Sequence, residues 1–480
     1  MIANIDAIIK YLNVFFFILL LIRFIPLQRY IIILKFNTMT NILVFGAGKS
    51  SSYLIKYLLD NSNQYFWQVN VADANLNAAL ERIGNHSNGK AIQLDIFEET
   101  HRKKLIQEAK IVISLLPPAL HIIVAKDCIT LKKDLVTASY VSDEIKALDS
   151  DAKKNGLLLL NEMGLDPGID HMSAMKIIHD IEKIGGDIYS FKSYCGGLIS
   201  PESDNNPWHY KISWNANNVV NAGKSGADYL FDGNEKHIKY NTLFKDIEQI
   251  EVPNFGKLSA YANRDSLSYQ SLYGLNNVKT MLRATLRYHD FCIGWHTIVN
   301  LGLTENEILY NTKNMTYHTW FMQASKDAKG DTPSEKIHTI SGNNSIAKDL
   351  IEWLGIFSDS NIRLDKPSTS AQIMLHIIEE KWKMQPEDKD LIIMQHEFEY
   401  GRKNLNEKLF STLIVEGENK TYTAMAKTVG LPMAIFTKLF LTGKIKNISG
   451  VQIPTLKEIY KPVLKELAEN GIIFEDTLSS

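Results

Sequence analysis

Of 480 residues only three are cysteine, Cys128, Cys195 and Cys292. They stand far apart, form no CxxC pair and offer no disulfide framework, so a crosslinked secreted scaffold is excluded. A reducing compartment, the cytoplasm, is expected. An excess of charge is also lacking: 52 Lys and Arg against 54 Asp and Glu leave a formal net charge of -2. Without a basic excess there is no long-range field to attract nucleic acid or an acidic membrane face. Any site for an anionic substrate must be built locally from a few placed arginines. Internal repeats and low-complexity tracts are missing too. What remains is the composition of an ordinary folded protein, 45% hydrophobic and 22% charged, long enough for two or three cores.

One long hydrophobic run departs from this pattern. Residues 12–36 read LNVFFFILLLIRFIPLQRYIIILKF, apolar enough to suggest a membrane segment. Arg23, Pro26, Gln28 and Arg29 interrupt it, and neither a basic n-region nor a small-residue cleavage site marks a secretory signal. Met39-Thr40 directly precedes the first predicted strand. Residues 1–38 are therefore read as an extension translated from upstream of the true start, with Met39 the expected first residue and membrane attachment not expected.

From Met39 the chain alternates apolar strands with amphipathic helices. NILVF (41–45), WQVNVA (67–72), residues 91–94, 111–116, 135–138 and 157–160 predict buried strands, with helices between them. Strands and helices at this spacing make parallel βαβ units. The fold class expected is α/β: a Rossmann dinucleotide-binding domain over 39–165, then a mixed α/β substrate domain over 166–305. A largely helical insertion follows over 306–402, and residues 403–480 are expected to return to the core.

Gly46-Ala47-Gly48-Lys49-Ser50-Ser51 lies between the first strand and the first helix. The first glycine permits the tight turn. The second lets backbone approach a pyrophosphate held by helix N-terminal amides. Ser51 stands at the third fingerprint position, so the match is imperfect, and the glycine spacing is not that of a Walker A loop. Asp73 ends the second strand at the spacing of the acid that binds the adenosine ribose, and a carboxylate there repels a 2'-phosphate. NAD is thus the expected cofactor, with NADP the second choice. Capping the next helix is the plain alternative for Asp73. Asp95, ending the third strand, is placed near the adenine edge.

NEMGLDPGIDHM (161–172), SYCGGLISPESDNNPWHYKISW (193–214), YANRDS (261–266) and LRATLRY (282–288) resemble saccharopine dehydrogenases of the glutamate-forming type. The upstream GAGKSS, SLLP and TASY suit the same family. The resemblance implies oxidation of saccharopine's secondary amine with a nicotinamide cofactor. Hydrolysis of the imine then gives glutamate and 2-aminoadipate 6-semialdehyde. It implies substrate contacts at Ser139, Tyr140, Asp166, Arg264, Arg283, Ala284 and Thr285. It also implies cofactor contacts at the Gly46 loop (Gly46, Ala47, Gly48, Lys49, Ser50), Asp73, Asp95, Leu115, Ala138, Ser139, Leu165, Asp166, Pro167 and Ser213. Ala284 stands where many members have glycine. Three carboxylates on the substrate call for guanidinium partners, and Arg264, Arg283 and Arg287 lie in these blocks.

The chemistry needs a base for the amine proton and for water. Asp166, Asp170 and His171 are candidates and Tyr140 is a second proton relay; Asp166 and Tyr140 are the expected catalytic pair. Asp170 and His171 could instead begin the following helix. Arg287 either shares the strand face of Arg283 and Thr285 or makes a surface salt bridge. Cys195 reads as buried core and Lys211 as a solvated lysine. His296, His318 and His396 are scattered without ligand partners, so no metal is expected. The expected partner is the small-molecule substrate; a homodimer is compatible with the sequence. Two other functions compete: an imine reductase of polyamine metabolism, whose cationic substrates would call for carboxylates rather than arginines, and a membrane-tethered dinucleotide-binding relative.

Overall fold

A computed structural model describes residues 39–342, 344–403 and 405–479. The apolar 1–38 segment lies outside the described residues. Six short strands open the chain: β1 (Thr40–Phe45), β2 (Trp67–Asp73), β3 (Gly89–Gln93), β4 (Ile111–Ser114), β5 (Asp134–Thr137) and β6 (Leu158–Leu160). They form a parallel sheet in the order β3-β2-β1-β4-β5-β6, the Rossmann arrangement. Helices cover both faces, so Ile42, Leu43, Val44 and Phe45 are all buried. That double cover explains why β1 reads as a continuous apolar run rather than an alternating one. Ile42 and Val44 join one core with Leu54 and Leu58 of the Ser52–Tyr65 helix. Leu43 and Phe45 join the other with Ile106 and Val124.

A seventh parallel strand completes this sheet from far along the chain, Gly450–Gln452 beside β6. The Ala424–Leu441 helix packs over the same sheet, with Leu431, Ile435 and Leu439 in the first core. It is long and apolar enough to cross a membrane, yet 72% of it is buried inside the protein. Gly430 makes this close approach: a Cβ there would stand 2.9 Å from the Leu54 nitrogen.

The second sheet is mixed and has ten strands. Its centre is β7 (Asp187–Ile199), flanked in parallel by Thr280–Arg287 and in antiparallel by Asp390–Arg402. Outward on one side run Gly256–Ala262 and Ile247–Val252, and on the other Leu405–Glu416 and Glu475–Ser479. Four helices, Tyr317–Ala324, Pro333–Ser341, Ser345–Trp353 and Ser370–Lys381, enclose a second core around Trp208, Trp295, Trp320 and Trp382.

The helical stretch expected to reach 402 ends at Lys381, and Asp390–Arg402 is instead a central strand. Its first nine residues, DLIIMQHEF, are all buried. A strand buried on both faces loses its two-residue alternation and cannot be told from a helical segment by pattern alone.

Candidate active site

The glycine loop shows why these residue types stand where they do. Gly46 has φ +100°, and a Cβ there would meet the Leu115 carbonyl oxygen at 3.0 Å. Leu115 in turn donates its amide to Phe45. Gly48 is different: no atom lies within 4 Å of a Cβ built on it, so the backbone faces open space. Lys49–Ser51 form a short 3-10 turn that leads into the helix. Ser51 is buried and its hydroxyl donates to the Gly48 carbonyl at 2.8 Å, so the small third fingerprint residue serves as an internal brace. Asp73 accepts the Ala47 amide at 2.7 Å and the Asn75 amide at 2.8 Å. The helix cap is Asn75, not Asp73. A constrained glycine, an open glycine and a carboxylate held at the end of β2 suit the pyrophosphate and ribose of a dinucleotide. Leu94 donates its amide to the Asp73 carbonyl, which brings exposed Asp95 alongside.

At the same carboxyl end of the sheet, beyond β6, the LDPG segment turns sharply. A Cβ on Gly168, φ +146°, would fall 2.1 Å from the Gly164 oxygen, and one on Gly164 would press on the Ala138 side chain. Gly164 also donates its amide to the Pro167 carbonyl. Leu165 is buried beneath, while Asp166 keeps 16% of its side chain accessible. The Arg283 guanidinium donates to Asp166 at 2.5 Å and to Asp170 at 2.7 Å, and reaches the Tyr140 hydroxyl at 3.3 Å. The Tyr140 hydroxyl donates to Asp166 at 3.2 Å. The Arg264 guanidinium lies over the Tyr140 ring at 5.3 Å from an exposed residue with φ +53°, backbone strain that non-glycine residues rarely accept.

The two carboxyls differ. Burial pushes Asp166 above its ordinary range, against the opposing pull of Arg283. For Asp170 burial is outweighed by the charges of His171 and Arg283 and by the Gly168 and His171 amides, which hold it below the usual range. The two environments thus push the carboxyls apart, Asp170 toward its anion and Asp166 toward its protonated form. Burial also pushes the Tyr140 hydroxyl up, so it stays neutral.

Two family models match the chain. One, described as the saccharopine dehydrogenase NADP binding domain, matches residues 42–160, and another, the saccharopine dehydrogenase C-terminal domain, matches 164–472. The chain belongs to the saccharopine dehydrogenase family. It is 33% identical over 447 residues to saccharopine dehydrogenase (NADP(+), L-glutamate-forming) of Saccharomyces cerevisiae, covering 90% of this chain and 98% of that protein. An apo saccharopine dehydrogenase (L-Glu forming) from the same yeast shares the fold with a TM-score of 0.81 at 31% identity, over 92% of this chain and 100% of the other. The alpha-aminoadipic semialdehyde synthase of Arabidopsis thaliana is 35% identical over 478 residues, 90% of this chain and 44% of that protein. The chain spans about half the length of such synthases.

In this saccharopine dehydrogenase family member the sheet face decides which residues reach the cleft. Arg283, Thr285 and Arg287 share one face of their strand by the two-residue period. Leu282, Ala284 and Leu286 face the second core, so the Ala284 side chain turns away from the Arg283–Asp166 cluster. Thr285 bonds the Tyr261 hydroxyl. Ser213 is buried and bonds Asp390, which also accepts the Ala424 and Met425 amides at the start of the long helix; Lys49 touches the neighbouring Ile212 carbonyl at 3.5 Å. Lys211 is neither solvated nor free, since it is buried on Asp388 at 2.7 Å. Arg287 makes no surface salt bridge: it is buried. His171 is fully buried, bonded to Glu162 at 2.7 Å and to Tyr273 at 2.5 Å. Glu162 also accepts from Tyr269 and from the Val141 amide.

One positioning residue was not foreseen. His121 bonds Ser114 at 2.9 Å and Ser139 at 2.7 Å, tying the ends of β4 and β5 together. Burial lowers it to about 4, so the ring is neutral. A lone histidine opening a helix after SLLPPAL carries no spacing signal. Among the described residues no group of three His, Cys, Asp or Glu is arranged to hold a metal.

Proposed function

We propose that this chain oxidises the secondary amine of saccharopine with a nicotinamide dinucleotide and hydrolyses the imine to glutamate and 2-aminoadipate 6-semialdehyde, or runs the reverse. The observation that carries the reading is the Asp166–Tyr140–Arg283 assembly beside the carboxyl ends of the parallel strands, where ligands of such sheets bind. The bound nicotinamide would supply the hydride acceptor. Every other task falls to the chain. Asp166, raised and partly accessible, takes the proton of the amine nitrogen as the C–N bond becomes an imine. Tyr140, neutral and bonded to Asp166, passes protons between that carboxyl and the water that adds to the imine carbon. Asp166 then returns a proton to the nitrogen as the C–N bond breaks and glutamate leaves. Asp170 remains anionic and fixes Arg283. Ser139, Arg264, Thr285 and the Ala284 backbone line the substrate in this reading. The cofactor runs past the Gly46 loop, Asp73, Asp95, Leu115, Ala138, Leu165, Pro167 and Ser213. Arginines rather than free carboxylates at the cleft favour an anionic substrate over a polyamine. Three buried free cysteines suit the cytoplasm. A steady-state assay of the full chain with saccharopine and NAD+ is expected to yield NADH; no reduction of either NAD+ or NADP+ would overturn the reading.

Between the two cofactors the reading favours NAD, although the yeast relative is named for NADP(+). Asp73 is pinned by two amides at the ribose position, and the segment Asp73–Ala79 (DANLNAA) contains no lysine or arginine for a 2'-phosphate. Asp73→Asn keeps an acceptor for the Ala47 amide and removes the charge. It should raise kcat/KM for NADP+ relative to NAD+ by about tenfold or more, roughly 1.4 kcal/mol; an unchanged ratio speaks against a repelling role.

A further inference from the structure

Three arginines are buried among the described residues: Arg102, Arg283 and Arg287. Arg102 pairs with Asp127 at 2.7 Å, and Arg283 with Asp166 and Asp170. Arg287 has no carboxylate. Its guanidinium gives one hydrogen bond, 2.7 Å to the carbonyl of Leu286, while Nε has no partner. The titratable groups that act on it most strongly are Tyr261, Tyr210, Cys292 and Cys195, with no carboxylate among them. Tyr210 and Phe291 present ring faces at 5.1 and 5.5 Å.

Magnitudes decide what this means. Ring faces stabilise a cation only modestly, whereas a buried guanidinium without an anion loses far more in hydration than they return. The rings do not offset the burial, so the site as it stands lacks an anion. Its position says where that anion belongs. Arg287 lies two strand pairs from Thr285 and four from Arg283 on the same face, roughly 13 Å from Arg283 along the strand. Between them Cys195, opposite Thr285 in the neighbouring strand, feels the charges of both Asp166 and Arg287. Arg287 therefore lies on the same strand face as the Arg283–Asp166 cluster, a buried cation with no carboxylate in reach.

We infer that Arg287 binds a substrate carboxylate remote from the reacting carbon. The inference rests on the saccharopine reading above. Arg283 is already neutralised by two aspartates, so Arg287 is the arginine with charge to spare for an anion at depth. Saccharopine offers two distal carboxylates, the side-chain carboxylate of its glutamate half and the carboxylate of its lysine half. Both are the same chemistry to a guanidinium, and the experiment separates them.

The test uses the full chain and the reductive direction, with NADH. Glutamate is compared with 2-aminopentanoate, which lacks the side-chain carboxylate. Aminoadipate semialdehyde is compared with 5-aminopentanal, which lacks the other. Wild type should prefer the carboxylated member of both pairs. Arg287→Met should raise the saccharopine KM about tenfold or more, leave the dinucleotide KM within about twofold, and abolish one of the two preferences, which identifies the carboxylate. Arg287→Lys should recover part of the lost preference. Both preferences intact in Arg287→Met would overturn the inference. If that variant does not fold, Arg287→Lys decides: a raised saccharopine KM supports the inference and an unchanged one overturns it. Failure of the wild type to turn over saccharopine would instead sink the functional reading beneath it.

Discussion

Two aspartates four residues apart, both against one guanidinium, sit on opposite sides of the ordinary carboxyl range. Burial raises both, but at Asp170 it is outweighed by the charges of His171 and Arg283 and, after them, by the Gly168 and His171 amides, while Asp166 stays partly accessible. In the proposed oxidative reaction Asp166 works in its base form, so activity should be present above its raised value and fall as pH drops through it. The acid limb of kcat/KM is thus expected above the pH where a free aspartate titrates. Asp166→Asn should remove that limb and lower kcat by about a hundredfold or more. A limb that survives the substitution would assign the proton to another group. At His121 the sign runs through stability. Its folded value near 4 lies below the ordinary 6.5, so the unfolded chain binds more protons between them. Stability is full above about pH 6.5 and declines toward pH 4, by an amount on the order of 3 kcal/mol. Urea denaturation at pH 7.5 and 5 should show a smaller loss in His121→Asn than in wild type; equal losses would refute the assignment. His396, also buried and near 4, loses stability in the same window and remains in both proteins.

Elements were legible in the sequence where local pattern and turn chemistry agree. Gly46 and Asp73 could be placed because a positive φ and a strand-end carboxylate leave marks at fixed spacing. The family blocks around Asp166 and Arg283 were likewise readable. Arg283's partner Asp170 was seen as a candidate without its role, because the contact joins segments more than a hundred residues apart. His121 and Glu162 left no mark because their partners, Ser114 and Ser139 for one and His171, Val141 and Tyr269 for the other, stand at no spacing that signals a motif. Asp390–Arg402 was read as helical since burial on both faces erases alternation, and Gly450–Gln452 is too short to signal a strand. The LDPG loop makes its own prediction. In Gly168→Ala the new Cβ collides with Gly164 backbone, so the loop must shift and carry Asp166 with it. We expect kcat to fall about tenfold or more while far-UV circular dichroism is kept, as misplacement by an ångström is that costly. Unchanged kcat would show that the loop yields without moving the carboxyl.

At the scale of the whole molecule, the nucleotide-binding half is not a detachable N-terminal module. Its first core mixes Leu54 and Val71 with Leu431, Ile435, Ile459 and Leu467 from the far end of the chain. Cutting the protein after about residue 420 would strip the Ser52–Tyr65 helix of its cover and leave β6, still paired with β5, open on its outer edge. Such a truncation should lose protease resistance in both halves and lose dinucleotide-induced thermal stabilisation. A truncated chain that still melts cooperatively with NAD would contradict this dependence.

The seventh strand also sets an order of events on the ribosome. Leu158–Leu160 is made early and its partner Gly450–Gln452 near the end. At roughly 5–20 residues per second the interval is on the order of tens of seconds. Throughout it the nascent sheet carries an open, apolar parallel edge, the kind of template that other chains can pair with. The same strand that finishes the fold therefore makes its synthesis a period of exposure, during which a chaperone or rapid compaction must shield the edge.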